Sequence, residues 1–132
     1  MKRQLVVCNS IKHVRLYPED IVCIEADGNY STFYLVGGEK RLVLLQLGQL
    51  ESMMGEQLGG EAKIFFRIGR SLIINRNYIY YINLSRQQLF MRDTTCHCHE
   101  TLKVSHESLK KLKELLEKDD EQTNDDNEQG TL

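Results

Sequence analysis

The stretch Ile21-Val22-Cys23-Ile24-Glu25-Ala26-Asp27-Gly28-Asn29-Tyr30-Ser31-Thr32-Phe33-Tyr34-Leu35-Val36 decides how this chain folds. Two runs rich in β-branched and aromatic residues, Ile21 to Ala26 and Ser31 to Val36, suit a pleated, half-buried surface. Between them Asp27-Gly28-Asn29 is a turn signal, because these residue types tolerate the backbone angles of a chain reversal. The same alternation of strand and turn extends outward in both directions. Strand-like stretches cover Val14 to Tyr17, Arg41 to Leu45, Ile64 to Ile68, Leu72 to Ile74, Tyr78 to Asn83, Gln88 to Arg92 and Thr101 to Val104. Turn signals fall at Gly37-Gly38, Gly59-Gly60, Asn75-Arg76-Asn77 and Asp93-Thr94-Thr95.

Two segments read as helix instead. Leu47, Leu50, Met53 and Met54 recur at three- and four-residue spacing, and Gly55 is placed to end that helix. Further on, Ser108 is the expected cap of a second helix. Its Leu109, Leu112, Leu115 and Leu116 share one face, and Lys110, Lys111, Lys113 and Lys118 lie on the other. The expected fold is mainly β, with a short internal helix and a C-terminal helix. No internal repeat is visible.

The 132 residues are enough for one core and not for two. A single proline, Pro18, and no Gly/Ser-rich linker argue against a second domain. No window approaches eighteen consecutive apolar residues, and the opening Met1-Lys2-Arg3-Gln4-Leu5-Val6-Val7-Cys8-Asn9 is too short an apolar run for a secretory signal. A cytoplasmic protein with no membrane contact is therefore expected. In that compartment Cys8, Cys23, Cys96 and Cys98 read as thiols rather than disulfides.

Net charge is -2, but it is unevenly spread. Residues 119–132 hold six acidic groups and no basic ones, leaving 17 basic against 13 acidic residues in 1–118, a body charge of +4. The segment 119–132 lacks the apolar content needed to offset its ordering entropy and reads as a disordered acidic tail. A mildly basic body permits binding to a polyanion without demonstrating it.

Catalytic signatures are missing. There is no phosphate-cradling GxxxxGK[ST] loop, no G-x-G-x-x-G after a strand and no G-x-S-x-G elbow. Glu25 and Asp27 form a carboxylate pair on paper, yet they precede a Gly-Asn turn, where acidic side chains ordinarily bond the turn backbone. No enzyme and no cofactor are expected. The run Cys96-His97-Cys98-His99 has ligand types that zinc and copper prefer. On a strand, however, its cysteines and histidines would point to opposite faces, and C-x₂-C spacing is absent. The favoured reading is a hairpin with small buried cysteines, and a metal site is the weaker alternative.

The segment Phe65-Phe66-Arg67-Ile68-Gly69-Arg70-Ser71-Leu72-Ile73-Ile74-Asn75-Arg76 sets a polar turn between two apolar strands. An arginine fork can bond the two major-groove acceptors of guanine, serine can donate to phosphate, and Gly69 keeps no side chain between backbone and a ligand. Taken alone, an exposed arginine paired with a nearby acid is the more ordinary reading. The same holds for Asn29-Tyr30-Ser31-Thr32, which is either a plain turn or a small polar cluster facing base edges.

Three motifs in order resolve that ambiguity. Ile21 to Tyr30, then Phe66 to Asn75, then Val104-Ser105 before a basic helix resemble the LytTR DNA-binding domain family, over about residues 10 to 117. That resemblance implies an elongated arrangement of small antiparallel sheets, with loops inserted into DNA grooves at repeated promoter elements. It implies a bacterial, response-regulator-like transcription regulator with double-stranded DNA as partner. A homodimer on DNA and an upstream sensor protein fit the same picture. Positions matching the family's base-reading residues are Ser31 after Asn29-Tyr30, Arg70 with Ser71 beside it, and His106. Arg67, Arg76, Lys103 and Lys110 are candidates for phosphate neutralisation.

Departures occur at Gly69, where the family commonly has histidine, and at His106-Glu107, where it commonly has arginine. Histidine is only partly charged near neutral pH, which makes a contact there weaker and pH-dependent. The expected layout is an N-terminal extension over 1–10, a DNA-binding domain over 11–118 and the tail over 119–132. About ten residues before the first strand leave no room for a receiver domain, so a stand-alone regulator is expected. Its signal would come from a partner, a metal, redox state or its own expression level. Two other classes are a protein-interaction β-module that has lost DNA binding, and a metal or redox sensor built on the Cys96–His99 run.

Overall fold

The structure is a computed structural model and describes residues 3–92 and 99–123. Among the described residues ten strands and two α-helices follow one another as β1 (Leu5–Cys8), β2 (His13–Leu16), β3 (Ile21–Asp27), β4 (Tyr30–Leu35), β5 (Lys40–Val43), α1 (Leu47–Leu58), β6 (Phe65–Ile68), β7 (Leu72–Asn75), β8 (Ile79–Asn83), β9 (Gln88–Arg92), β10 (His99–Lys103) and α2 (His106–Thr123). They build a two-stranded sheet β1-β2, a five-stranded sheet in the order β5-β4-β3-β7-β6 and a three-stranded sheet β10-β9-β8. Every pairing is antiparallel.

The five-stranded sheet is covered on both faces, which explains why β3 and β7 read as unbroken apolar runs. One core joins Ile21, Ile24, Phe33 and Ile73 to Leu5 and Val7 of β1 and to Leu47, Leu50, Met54 and Leu58 of α1. The other joins Val22, Cys23, Leu72 and Ile74 to Leu89, Met91 and Leu102 of the three-stranded sheet and to Leu109 and Leu112 of α2. A register irregularity between Ile21 and Cys23 interrupts the alternation, so that adjacent Val22 and Cys23 both enter the second core while Ile21 and Ile24 enter the first. Burying a Leu or Ile side chain contributes roughly 1.5–3 kcal/mol, so two cores of this size hold the layers together.

Several expectations need correction. Residues 5–8, placed in an N-terminal extension, form β1, whose Leu5 and Val7 are buried. Helix α1 runs through Gly55 to Leu58, because Leu58 continues the buried face set by Leu47, Leu50 and Met54. It stops at Gly59, whose φ of +58° lies in the left-handed region. There a β-carbon would approach Arg3 Nη1 to 2.8 Å. Ser105, not Ser108, caps α2. Its hydroxyl accepts from the Ser108 N–H at 3.2 Å, and its carbonyl accepts from the Leu109 N–H at 3.0 Å. Helix α2 reaches Thr123, carrying helical structure into the segment read as a disordered tail, and Asp119 pairs with Arg76. Residues 124–132 and the run Cys96, His97, Cys98 lie outside the described residues, and the His99 backbone opens β10. Of the other cysteines, Cys8 is exposed and Cys23 buried. Among the described residues no helix is long and apolar enough to cross a membrane, and no cluster of three or more His, Cys, Asp or Glu is placed to hold a metal.

Candidate nucleic-acid interface

Strand register decides where the turns emerge. Glu25 of β3 pairs with Leu72, the first residue of β7, and the Ala26 N–H donates to Ser71 O at 2.8 Å. The β3–β4 turn at Gly28-Asn29 and the β6–β7 turn at Gly69-Arg70-Ser71 therefore leave the sheet at the same end. Ser31 pairs with Val43, so the segment leading from β5 into α1 passes this end as well. Asn29 Oδ1 accepts from Gln46 Nε2 there at 3.3 Å.

A third segment joins them from the other side of the sheet. Lys103, Val104, Ser105 and Ser108 line a shallow cavity of about 200 Å³ together with Gly69, Arg70 and Ser71. The end of β10 and the N-terminus of α2 thus face the β6–β7 turn. Asn29, Arg70, Ser71, Lys103 and His106 are all exposed. Among the described residues the Arg70 guanidinium meets no acceptor. Exposed cations beside the positive end of an 18-residue helix favour an anion at this surface. Glu107 opposes that field, with Lys111 3.9 Å away to offset it.

Not every residue singled out from sequence belongs here. Ser31 is fully buried and its hydroxyl donates to Leu45 O at 2.8 Å, so it braces the β5–α1 segment rather than facing a base. Tyr30 is half exposed, at the rim of an apolar cavity lined by Ile11, Leu42 and Leu44. Arg76 follows the far end of β7, roughly 15 Å along the strand from Ser71. It is paired with Asp119, and its guanidinium carbon sits 5.8 Å from the Phe66 ring centre. Arg76 therefore fastens α2 and is not placed to neutralise phosphate at this end. Arg67 lies beside the turn, but its guanidinium is engaged by Glu51 and by turn carbonyls. Lys110 is exposed in the second turn of α2.

Two groups at this surface were missed from sequence. Gln46 and Gln49 form a reciprocal capping box at the start of α1, and both line a shallow hollow with Asn29. The Gln-x-x-Gln spacing ahead of Leu47 and Leu50 is the signal for it. Ser105 is the other, signalled by its position just outside the first turn of an amphipathic helix.

Fold and site together define a small antiparallel β domain that offers turns and a helix N-terminus, not the flank of a helix, at one polar end. The family model described as the LytTr DNA-binding domain matches residues 11–117, and the chain belongs to that family. It is a DNA-binding domain family rather than an enzyme fold, and it supports double-stranded DNA as partner. Among solved structures the chain is similar to the LytTr DNA-binding domain of a protein described as a methyl-accepting/DNA response regulator from Bacillus cereus, with a TM-score of 0.60 and 16% identity over 88% of this chain and 98% of that one. No curated protein matches.

Proposed function

We propose that this chain is a sequence-specific transcription regulator that reads duplex DNA through the turns at one end of its central sheet. In this reading Asn29, Arg70, Ser71 and His106 meet base edges, and Lys103 and Lys110 neutralise phosphates. The observation that carries it is the meeting of the β6–β7 turn with Lys103, Ser105 and Ser108 around one cavity, beside the Asn29 turn. Contacts spread over two turns and a helix start can reach more than one part of a groove. Each good base contact supplies about 1–3 kcal/mol of discrimination, so several together give useful selectivity. Repeated promoter elements would be read by separate copies, and an upstream sensor protein would supply the signal.

Selection of bound sites from random duplex DNA tests this reading. An enriched site is expected that outcompetes random DNA by about a thousandfold or more, with affinity that falls steeply as salt rises. A protein that enriches nothing, or binds without regard to salt, refutes it.

A further inference from the structure

We propose that Arg67 and Glu51 act as a clamp that sets the turn presenting Arg70, so that a residue of α1 controls how sharply Arg70 tells bases apart. The inference rests on the DNA-reading function proposed above and assigns Arg67 a positioning role in place of a phosphate contact.

The geometry is specific. Arg67 Nε donates to Gly69 O at 3.1 Å, Nη2 donates to Arg70 O at 3.3 Å, and Nη1 donates to Glu51 Oε1 at 2.8 Å. Three different nitrogens of one planar group are thereby used, which fixes the plane as well as the position of the guanidinium. Its two carbonyl partners belong to Gly69 and Arg70 themselves. The carboxylate partner comes from α1, sixteen residues earlier in the chain.

The Ile68–Leu72 pair closes the hairpin beneath the turn, and little else besides holds it. Gly69, Arg70 and Ser71 are exposed, and a β-carbon at Gly69 would meet nothing within 4 Å, so packing does not define their shape. Gly69 adopts φ +61°, in a region where glycine has unusual freedom. On one side the turn is tied by the Ala26 N–H to Ser71 O; on the other it is tied by Arg67. Side-chain exposures of 29% for Arg67 and 53% for Glu51 mean that the ion pair adds little to global stability. Its consequence is local. It pre-orders a turn that would otherwise sample several shapes, and a contact made by a pre-ordered group discriminates better.

The test compares the affinity of the full chain for its selected site with its affinity for random duplex, across a salt series. Glu51→Ala is expected to lower the specific-to-random ratio about five- to tenfold, within the range of one base contact, with the salt slope unchanged. Glu51→Gln, which keeps an acceptor oxygen, should recover part of the loss. Arg67→Lys keeps the charge but not the fork and should lose selectivity to a similar degree; a phosphate contact would tolerate that change. The sign of the Glu51→Ala effect separates the clamp from plain electrostatics. Removing an acid near a polyanion raises both affinities together, and that outcome, or an unchanged ratio, overturns the clamp. A wild-type protein with no preferred site refutes the DNA-reading function and the clamp with it. A selective wild type whose Glu51→Ala variant keeps its ratio refutes the clamp alone.

Discussion

Exchanging Ser31 for alanine deletes the hydroxyl that donates to Leu45 O at 2.8 Å and alters nothing at the protein surface. A neutral intramolecular hydrogen bond contributes about 1 kcal/mol net, and leaving a buried partner unsatisfied raises the cost toward about 3 kcal/mol. Leu45 is only half buried, so water reaches part of the space, and a loss of about 1–2 kcal/mol is expected. For a body of this size, that lowers Tm by roughly 4–8 °C. Thermal unfolding followed by circular dichroism measures the first quantity. Competition between the selected site and its single-base variants measures the second. The ranking of those variants should match the wild type, because no base edge loses a partner. If Ser31→Ala melts with the wild type yet loses preference at one base pair, the hydroxyl faces DNA and the inward placement of Ser31 is wrong.

Arg70→Ala should reduce preference for the selected site by about 1–3 kcal/mol, concentrated at one or two base pairs, as read by competition binding. Lys103→Ala should weaken specific and random DNA about equally and reduce the salt slope by about one, measured by anisotropy across a salt series. Leu50→Ala, in the fully buried face of α1, should cost about 2–5 kcal/mol in urea unfolding without changing which bases are preferred. Gly59→Ala places a side chain at φ +58° against Arg3 and should destabilise by about 1 kcal/mol or more in the same assay.

Alternation placed most strands within a residue or two of where they lie, since a sheet face buries every second side chain. The same rule assigns Ser31 to the inner face, because Phe33 and Leu35 follow it at two-residue spacing and both are buried. Reading it as a base contact gave the motif precedence over the periodicity. Gly55 looked like a helix stop because glycine favours ends, but Leu58 carries the apolar face one turn further and burial of that leucine outweighs glycine's weak preference. Strand β1 was overlooked because four residues carry little pattern; its Leu5 and Val7 become meaningful only against the core they enter. The Arg67–Glu51 pair left no trace in sequence at all, for nothing local says which face of a helix meets which strand.

What the chain's order of residues settles by itself is local: where backbone alternation, turn-forming Gly and Asn, and leucine spacing favour strand, reversal or helix. The motifs around Ile21 to Tyr30 and Phe66 to Asn75 also suffice to identify the family. Which turns share an end, which arginines are free to meet a ligand and which hydroxyl points inward depend on register and on layers packing across long separations. Those choices arise from many weak contacts summed over the whole molecule. Arg70 is left exposed while Arg67 and Arg76, only a few residues away, are held by acids from two different helices.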